Sequence, residues 1–333
     1  MVISKDASAS IGAREFHKKT KITESLRQME QAFQAKFVDI SSGKIKNIYV
    51  TRRTCPLCGQ ASREVVFVKN GFEHLHCSCG MIYVADVLKD EYLNMVYTDE
   101  AYEEETHVSF RSEPRRSFIM AIYEEGMALI NTLVSSRGRL LDVGCSSGLF
   151  MEYAQERGFK TSGIEPSQYA VEYARENGLD ARQGYFKKGS VPSGSHDLVT
   201  LWDVLEHCDN PSDILKDVHD ALKPEGIIFL QIPNVMGLAP RIMRKDCNMF
   251  TGFGHINLFC PETVTKILKQ CGYEDIRLQT VISEISVITN YLAYYDPYFG
   301  PSMERESILG LIDLKDIQKN LLGYKLQAVA KKA

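Results

Sequence analysis

From residue 139 onward, short apolar runs and amphipathic stretches take turns along the chain. The apolar runs centre near residues 140, 161, 180, 198, 228, 277 and 326, and up to the fifth they alternate with helical patterns. Such alternation predicts an α/β fold with a parallel sheet, because each crossover lays its helix against one face of the sheet. Pro211 to Leu222 reads as an amphipathic helix closed by Lys223-Pro-Glu-Gly226, and Ile227 to Ile232 as a buried strand ending at Pro233-Asn234. Residues 255–263 are expected to start another helix. Gly272-Tyr273 then leads into a strand over Ile276 to Val281, and a helical run over 303–322 precedes a last strand, Tyr324 to Ala330. Ahead of the sheet, residues 22–37 predict a helix with Thr23 as its cap. Val65 to Val68 and Phe72 to Leu75 predict strands, and a long helix is expected from about Arg115 to Val134. No internal repeat or low-complexity tract interrupts this order.

The stretch Arg139-Leu-Leu-Asp-Val-Gly-Cys-Ser-Ser-Gly-Leu-Phe150 joins an apolar strand to a helix through a turn bounded by Gly144 and Gly148. Glycines there let the backbone approach a ligand closely, and the helix start offers unpaired N–H groups to a carboxylate or phosphate. Glu165 ends a second apolar strand, Lys160 to Ile164, where a carboxylate can grip two ribose hydroxyls. One ligand containing adenosine satisfies both features. A dinucleotide fingerprint would read Gly-x-Gly-x-x-Gly, its third glycine packing helix on strand; here the turn is Gly-Cys-Ser-Ser-Gly.

On these residues the chain resembles the class I S-adenosylmethionine-dependent methyltransferases. Their first motif, Asp-x-Gly-x-Gly-x-Gly, matches Asp142, Gly144 and Gly148, with Ser146 in place of the middle glycine. The segment His196-Asp-Leu-Val-Thr-Leu-Trp-Asp-Val-Leu-Glu-His207 is similar to the family's fourth strand and the loop after it. The resemblance covers about 131 to 333. It implies a Rossmann-like seven-stranded sheet in the order 3-2-1-4-5-7-6 with helices on both faces, and S-adenosylmethionine as cofactor. It places Asp142, Gly144, Cys145, Gly148, Glu165, Trp202 and Asp203 around that cofactor. The acidic residue that the family usually sets near adenine after the third strand is not evident around Gln183-Gly184-Tyr185.

Cys55-Pro-Leu-Cys58-Gly and His76-Cys77-Ser-Cys79-Gly80 form two knuckles separated by the strand-rich segment. In such turns two thiolates face one ion while the glycine frees backbone N–H groups to soften the sulfur charge. The spacing resembles the zinc ribbon that precedes the methyltransferase domain in a group of bacterial enzymes, sugar C-methyltransferases among them. Two ligand sets are open: Cys55, Cys58, His76 and Cys79, or the same with Cys77 in place of His76, the wider spacing being preferred. A ribbon without metal, its thiols serving as small packing groups, is the alternative. A structural zinc would hold together a unit too small to bury its own core, so its removal is expected to unfold the ribbon rather than stop chemistry. The remaining cysteines stand singly and read as packing residues.

Methyl transfer from a sulfonium needs acceptor, methyl and sulfur in line, water excluded, and a base where the acceptor carries a proton. His207, at the carboxyl edge of the fourth strand, and His255, in the glycine-flanked loop Gly252-Phe-Gly254-His255, are the candidate catalytic bases. A loop-bracing role for His207 stays open. Tyr294, Tyr295, Tyr298 and Phe299 either stack on an acceptor ring or form the core of a helical insert over about 283–322.

The formal net charge is −4, yet residues 1–54 carry eleven Lys or Arg against five Asp or Glu, and residues 86–106 hold eight acidic residues against Lys89. A continuous basic face for phosphates is therefore not expected, and nucleic acid is the lesser expectation. A small-molecule acceptor, a sugar or other biosynthetic intermediate methylated at oxygen, nitrogen or carbon, is the leading reading. The alternative is an RNA methyltransferase gripping RNA with its ribbon and basic arm. No run approaches the ~20 apolar residues of a membrane span, and the first residues lack a signal peptide's apolar core, so a cytoplasmic location is expected. The layout reads as a helical arm over 1–50, a ribbon over 51–88, a helical connector over 89–130 and the methyltransferase domain over 131–333. Nothing in the chain sets the oligomeric state, the acceptor or the atom methylated.

Overall fold

The computed structural model describes residues 22–62, 64–97, 107, 109–113, 115–134, 136–281, 295–296, 300–301 and 314–333. Helix α1 (Ile22–Phe37) leads to the strands of the cysteine-bearing region: β1 (Val50–Arg52), β2 (Glu64–Lys69), β3 (Phe72–His76), β4 (Ile82–Val84) and β5 (Asp86–Leu88). Helices α2 (Asp90–Tyr97) and α3 (Arg115–Ile130) follow. Next come β6 (Arg139–Val143), α4 (Leu149–Gln155), β7 (Lys160–Glu165), α5 (Gln168–Glu176), β8 (Ala181–Gln183), β9 (His196–Trp202), α6 (Pro211–Ala221) and β10 (Leu222–Pro233). The last third adds α7 (Leu238–Met243), β11 (Asn257–Leu258), α8 (Pro261–Gln270) and β12 (Tyr273–Val281). A short pair, β13 (Tyr295–Asp296) and β14 (Gly300–Pro301), precedes α9 (Leu314–Lys319) and β15 (Lys325–Lys332).

The large sheet runs β8-β7-β6-β9-β10-β15-β12, which in its own strand numbers is the expected 3-2-1-4-5-7-6. Strands β8 through β10 are parallel neighbours, and β15 inserts antiparallel to both β10 and β12. Central strands covered on both faces need near-continuous apolar runs. The sequence supplies them: Leu198, Val199, Leu201, Ile228, Phe229, Leu230, Leu326 and Ala328 are all fully buried. Helix α3, counted with the connector by sequence, lies directly on this sheet. It comes close because Gly126 carries no Cβ, which would stand 2.4 Å from the Trp202 ring and 3.0 Å from Phe229.

Two local expectations are adjusted. Residues 255–263 open a helix only at their end: Asn257 and Leu258 pair antiparallel with Tyr83 and Ile82, and α8 starts at Pro261, whose missing N–H suits a first helical position. Helix α1 begins at Ile22, so Thr23 sits inside its first turn rather than at the cap. Of the expected helical run over 303–322, residues 303–313 lie outside the described residues, and α9 ends at Lys319, short of Leu322.

The pairing of β11 with β4 also alters the view of the ribbon. Its sheet, β2-β3-β4-β11, takes its last strand from the chain beyond β10. Cys55, Leu57, Leu75, Cys77, Met81 and Tyr83 belong to the same buried cluster as Leu230, Phe259, Val264 and Leu326. The ribbon and the large sheet thus share a core. Among the described residues no helix is long and apolar enough to cross a membrane.

Candidate active site

The turn after β6 is held open by backbone conformations that glycine adopts without strain: Gly144 has φ 73° and Gly148 φ 82°. Space demands glycine as well. A Cβ on Gly144 would stand 2.6 Å from Val204, and one on Gly148 would stand 2.2 Å from the tip of Leu179. Gly148→Ala is expected to destabilise the fold by about 2 kcal/mol, from the left-handed backbone and the displaced Leu179. Denaturant unfolding checks this; an unchanged midpoint would show that the turn relaxes freely.

Glu165, at the end of β7, is buried to 7% exposure and clasps the turn. Its Oε2 accepts from the Ser146 N–H at 2.9 Å and its Oε1 from the Ser167 N–H at 3.0 Å. Beneath it Asp142, also buried, accepts from the Thr200 hydroxyl at 2.7 Å. Burial raises the Asp142 pKa to about 7, the Thr200 hydrogen bond opposing and Glu165 reinforcing. Glu165, with a partly ionised Asp142 beneath it, makes the floor of the turn negative. The thiol of Cys145 turns away from this opening into the cluster of Met151, Val171 and Ala174; it touches the space that the absent Cβ of Gly163 leaves. What position 145 offers the turn is backbone.

A strap missed by sequence reasoning braces the other side. His107 Nδ1 lies 2.7 Å from the Ser146 hydroxyl, and the Ser147 hydroxyl donates to the His107 carbonyl at 2.5 Å. Arg111 donates to the Ser147 hydroxyl at 3.2 Å and pairs with Glu152 at 2.8 Å. These residues follow an acidic run without periodicity, so nothing local marks them. Tyr185, just after β8, is also exposed beside the site at 70%, within the field of Glu165 and Asp90.

At the carboxyl end of β9, Trp202 serves packing: its ring lies 4.5 to 4.8 Å from those of Phe229, Phe150 and Tyr123. Asp203 is fixed by a ladder of amides running across the sheet. Gln279 donates to Gln327 at 2.7 Å, Gln327 to Gln231 at 2.9 Å, and Gln231 to Asp203 at 2.9 Å. Lys325 closes the ladder with an ion pair to Asp203 at 2.7 Å. The register of three strands builds this row, so no single segment reveals it.

Beyond Asp203 a short turn, Leu205–His207, brings Glu206 and His207 against His255. One ligating atom from each of these three residues lies within 4.8 Å of the others, and the imidazole centroids are 5.0 Å apart. The His207 Nδ1–H donates to the Gly254 carbonyl at 3.0 Å, and the His255 Nδ1–H to the Met249 carbonyl at 2.8 Å. Each Nε2 keeps its lone pair. Glu206 is 1% exposed, and neither of its carboxyl oxygens has a hydrogen-bond partner. Burial, with Asp203 beside it, holds Glu206 well above the usual carboxylate range. Burial together with His207 keeps His255 well below the ordinary imidazole range. The two histidines read as bases from sequence do meet, and Glu206 is the partner that reading missed.

The ribbon builds the loop that carries His255. Gly252 passes the Phe72 ring so closely that a Cβ would stand 2.6 Å from it. The Val84 N–H donates to the Ile256 carbonyl at 3.0 Å, and Arg53 donates to the same carbonyl at 2.7 Å. The Asn257 amide then ties the loop to the carbonyls of Leu205 and Cys208, at 3.1 and 2.6 Å.

In the ribbon, Cys55, Cys58, Cys77 and Cys79 bring their sulfurs within 4.8 Å of one another. Cys55 lies 3.6 Å from Cys79 and Cys58 3.5 Å from Cys77. Four thiolates about 2.3 Å from one ion would sit about 3.8 Å apart, so the four residues fit a tetrahedral zinc. Backbone N–H groups of Leu57 and Cys58 point at Cys55, and that of Cys79 at Cys77. Burial pushes the Cys77 thiol up, but the Cys79 N–H and the neighbouring sulfurs together bring it down to about 7. The preference for His76 is corrected. His76 ends β3 and turns to Glu64, its Nδ1 3.1 Å from the carboxylate; the knuckle turn begins one residue later. Of the aromatic segment read either as acceptor cover or as the core of a helical insert, Tyr294, Tyr298 and Phe299 lie outside the described residues.

Residues 118–278 match the family profile described as a methyltransferase domain. The chain is 34% identical over 103 residues to the ubiquinone biosynthesis O-methyltransferase of Idiomarina loihiensis, covering 29% of this chain and 42% of that one. It is 32% identical over 161 residues to the enzyme of the same name from Actinobacillus pleuropneumoniae, covering 42% of this chain and 66% of that one. It thus spans less than two thirds of the length of these curated relatives. A solved S-adenosylmethionine-dependent methyltransferase from Archaeoglobus fulgidus aligns with 21% identity and a TM-score of 0.47, over 70% of this chain and 98% of that one.

Proposed function

We infer that this chain, whose residues 118–278 match a methyltransferase-domain profile, is a class I S-adenosylmethionine-dependent methyltransferase that transfers a methyl group to a hydroxyl of a small-molecule acceptor. The carrying observation is Glu165. It is a buried carboxylate aimed at the mouth of a glycine turn by two backbone N–H groups at 2.9 and 3.0 Å, with free lone pairs for a ribose diol. S-adenosylmethionine, when bound, supplies a methyl group on a positively charged sulfur. The negative floor made by Asp142 and Glu165 suits a cationic ligand, and the exposed Tyr185 offers adenine a flat face. Oxygen is favoured as the methylated atom because the curated relatives are named O-methyltransferases; a sugar or another hydroxylated biosynthetic intermediate fits. Glu206, His207 and His255 stand where an acceptor's proton has to leave. Four ribbon thiolates holding one zinc keep the His255 loop in place.

The RNA alternative loses support in the charge pattern. Lys44 is paired with Glu73 at 2.9 Å and Arg52 with Asp86 at 3.0 Å, while Arg53 turns inward onto backbone carbonyls. That leaves no contiguous basic face among these residues of the arm. Isothermal titration with S-adenosylmethionine and its demethylated product is the test. Binding of both, followed by transfer of labelled methyl to a hydroxylated acceptor from a panel, is expected. Folded protein that gives no heat with either ligand would end this reading.

A further inference from the structure

The side chains of Glu206, His207 and His255 converge within 4.8 Å of one another, and with Glu206 ionised all three present lone pairs to the space between them. Both imidazoles spend their Nδ1–H on carbonyls, of Gly254 and Met249. The Glu206 carboxylate, 1% exposed, has no hydrogen-bond partner on either oxygen. Such a carboxyl ionises only at a cost of several kcal/mol unless something positive sits beside it. Lys325, the ammonium at this end of the sheet, is drawn to Asp203 at 2.7 Å. A cation between the three side chains would take up all three lone pairs at once.

We propose that Glu206, His207 and His255 form a binding site for a divalent first-row transition-metal cation, distinct from the cysteine ribbon. The donor set is two imidazoles and one carboxylate, which suits manganese, iron, cobalt or zinc and leaves coordination positions open. Each histidine already has the outer partner that metal-bound imidazoles generally keep, a carbonyl on the nitrogen away from the ion. The ligating atoms lie within 4.8 Å of one another, close enough for one ion at bond lengths of about 2.0–2.2 Å. The site has a place in the wider architecture as well. Val204, two residues before Glu206, forms the wall against Gly144, so the open positions lie beside the cofactor turn, where an acceptor hydroxyl would coordinate. This last point rests on the methyl-transfer reading; the cation site does not.

The test uses the full chain with its ribbon metal counted by mass spectrometry and left in place. Mn²⁺ serves as the probe, because a four-thiolate ribbon discriminates against it. Titration followed by electron paramagnetic resonance is expected to show one Mn²⁺ per chain and a rise in Tm. In Glu206→Gln and in His255→Ala, affinity should fall by about tenfold or more and the Mn²⁺-dependent rise in Tm should disappear. Retained S-adenosylmethionine binding shows that each variant is folded. Wild-type protein that binds S-adenosylmethionine but gains neither bound Mn²⁺ nor a Tm shift overturns the site, as does a Glu206→Gln variant with wild-type Mn²⁺ affinity. Protein that binds Mn²⁺ at these residues yet ignores S-adenosylmethionine supports the cation site and sinks the methyl-transfer reading alone.

Discussion

Glu165→Ala weakens S-adenosylmethionine binding by about a hundredfold or more, the largest loss expected from any one side chain of the cofactor turn. Two hydroxyl-to-carboxylate hydrogen bonds at a buried site contribute about 1.5–3 kcal/mol each, and about 2.7 kcal/mol already corresponds to a hundredfold change in Kd. The same carboxylate also pins the turn through Ser146 and Ser167, so the alanine variant leaves two N–H groups without their acceptor. Glu165→Gln is the milder change. It keeps one carbonyl oxygen for the turn but sets its NH2 against the other backbone N–H and loses the charge, so stability should fall by about 1–3 kcal/mol while affinity falls by about tenfold. Titration calorimetry on both variants, with unfolding midpoints measured alongside, decides the matter. A Kd within threefold of wild type for the alanine variant would mean that the adenosine sits elsewhere.

The turn could be read from sequence because its signals are local. An apolar run, two glycines and a carboxylate at the end of the next run are each visible without knowing which strands pair. The lateral order of the sheet is different. Nothing in the run Tyr324 to Ala330 says that it slips antiparallel between β10 and β12; that expectation came from family resemblance. The acceptor side was only half legible. His207 and His255 each stood out by type, but Glu206 reads as an ordinary acidic loop residue until the loop after β10 folds back on it. The choice between His76 and Cys77 failed for a similar reason. Counting residues back from Cys79 assumes that the knuckle starts at His76, whereas β3 keeps pairing through His76 and gives the next position to the turn.

The core that the ribbon shares with the large sheet makes removal of the zinc proposed for its four thiolates the second large effect. By sequence alone, loss of the metal should unfold the ribbon and spare the chemistry. The structure points to a different outcome, because the His255 loop is built against ribbon elements: Phe72 under Gly252, Val84 and Arg53 on the Ile256 carbonyl. Cys77→Ser, or treatment with a strong chelator, is therefore expected to release the zinc and lower Tm by about 10 °C or more. Structural zinc contributes about 10–16 kcal/mol of binding energy, and for large domains each kcal/mol moves Tm by about 2–4 °C, so even a partial loss is visible. Turnover should fall by at least about tenfold, more than S-adenosylmethionine affinity does, because Glu165 and the glycine turn are carried by the ends of β6 and β7, in the large sheet rather than the ribbon sheet. His76→Ala is the matched control and should keep both its zinc and its Tm. Metal analysis, thermal unfolding and a methyl-transfer assay on the same samples read all three quantities. Zinc-free protein with unchanged Tm and unchanged turnover would show that the four thiols act only as packing groups and that the His255 loop stands without them.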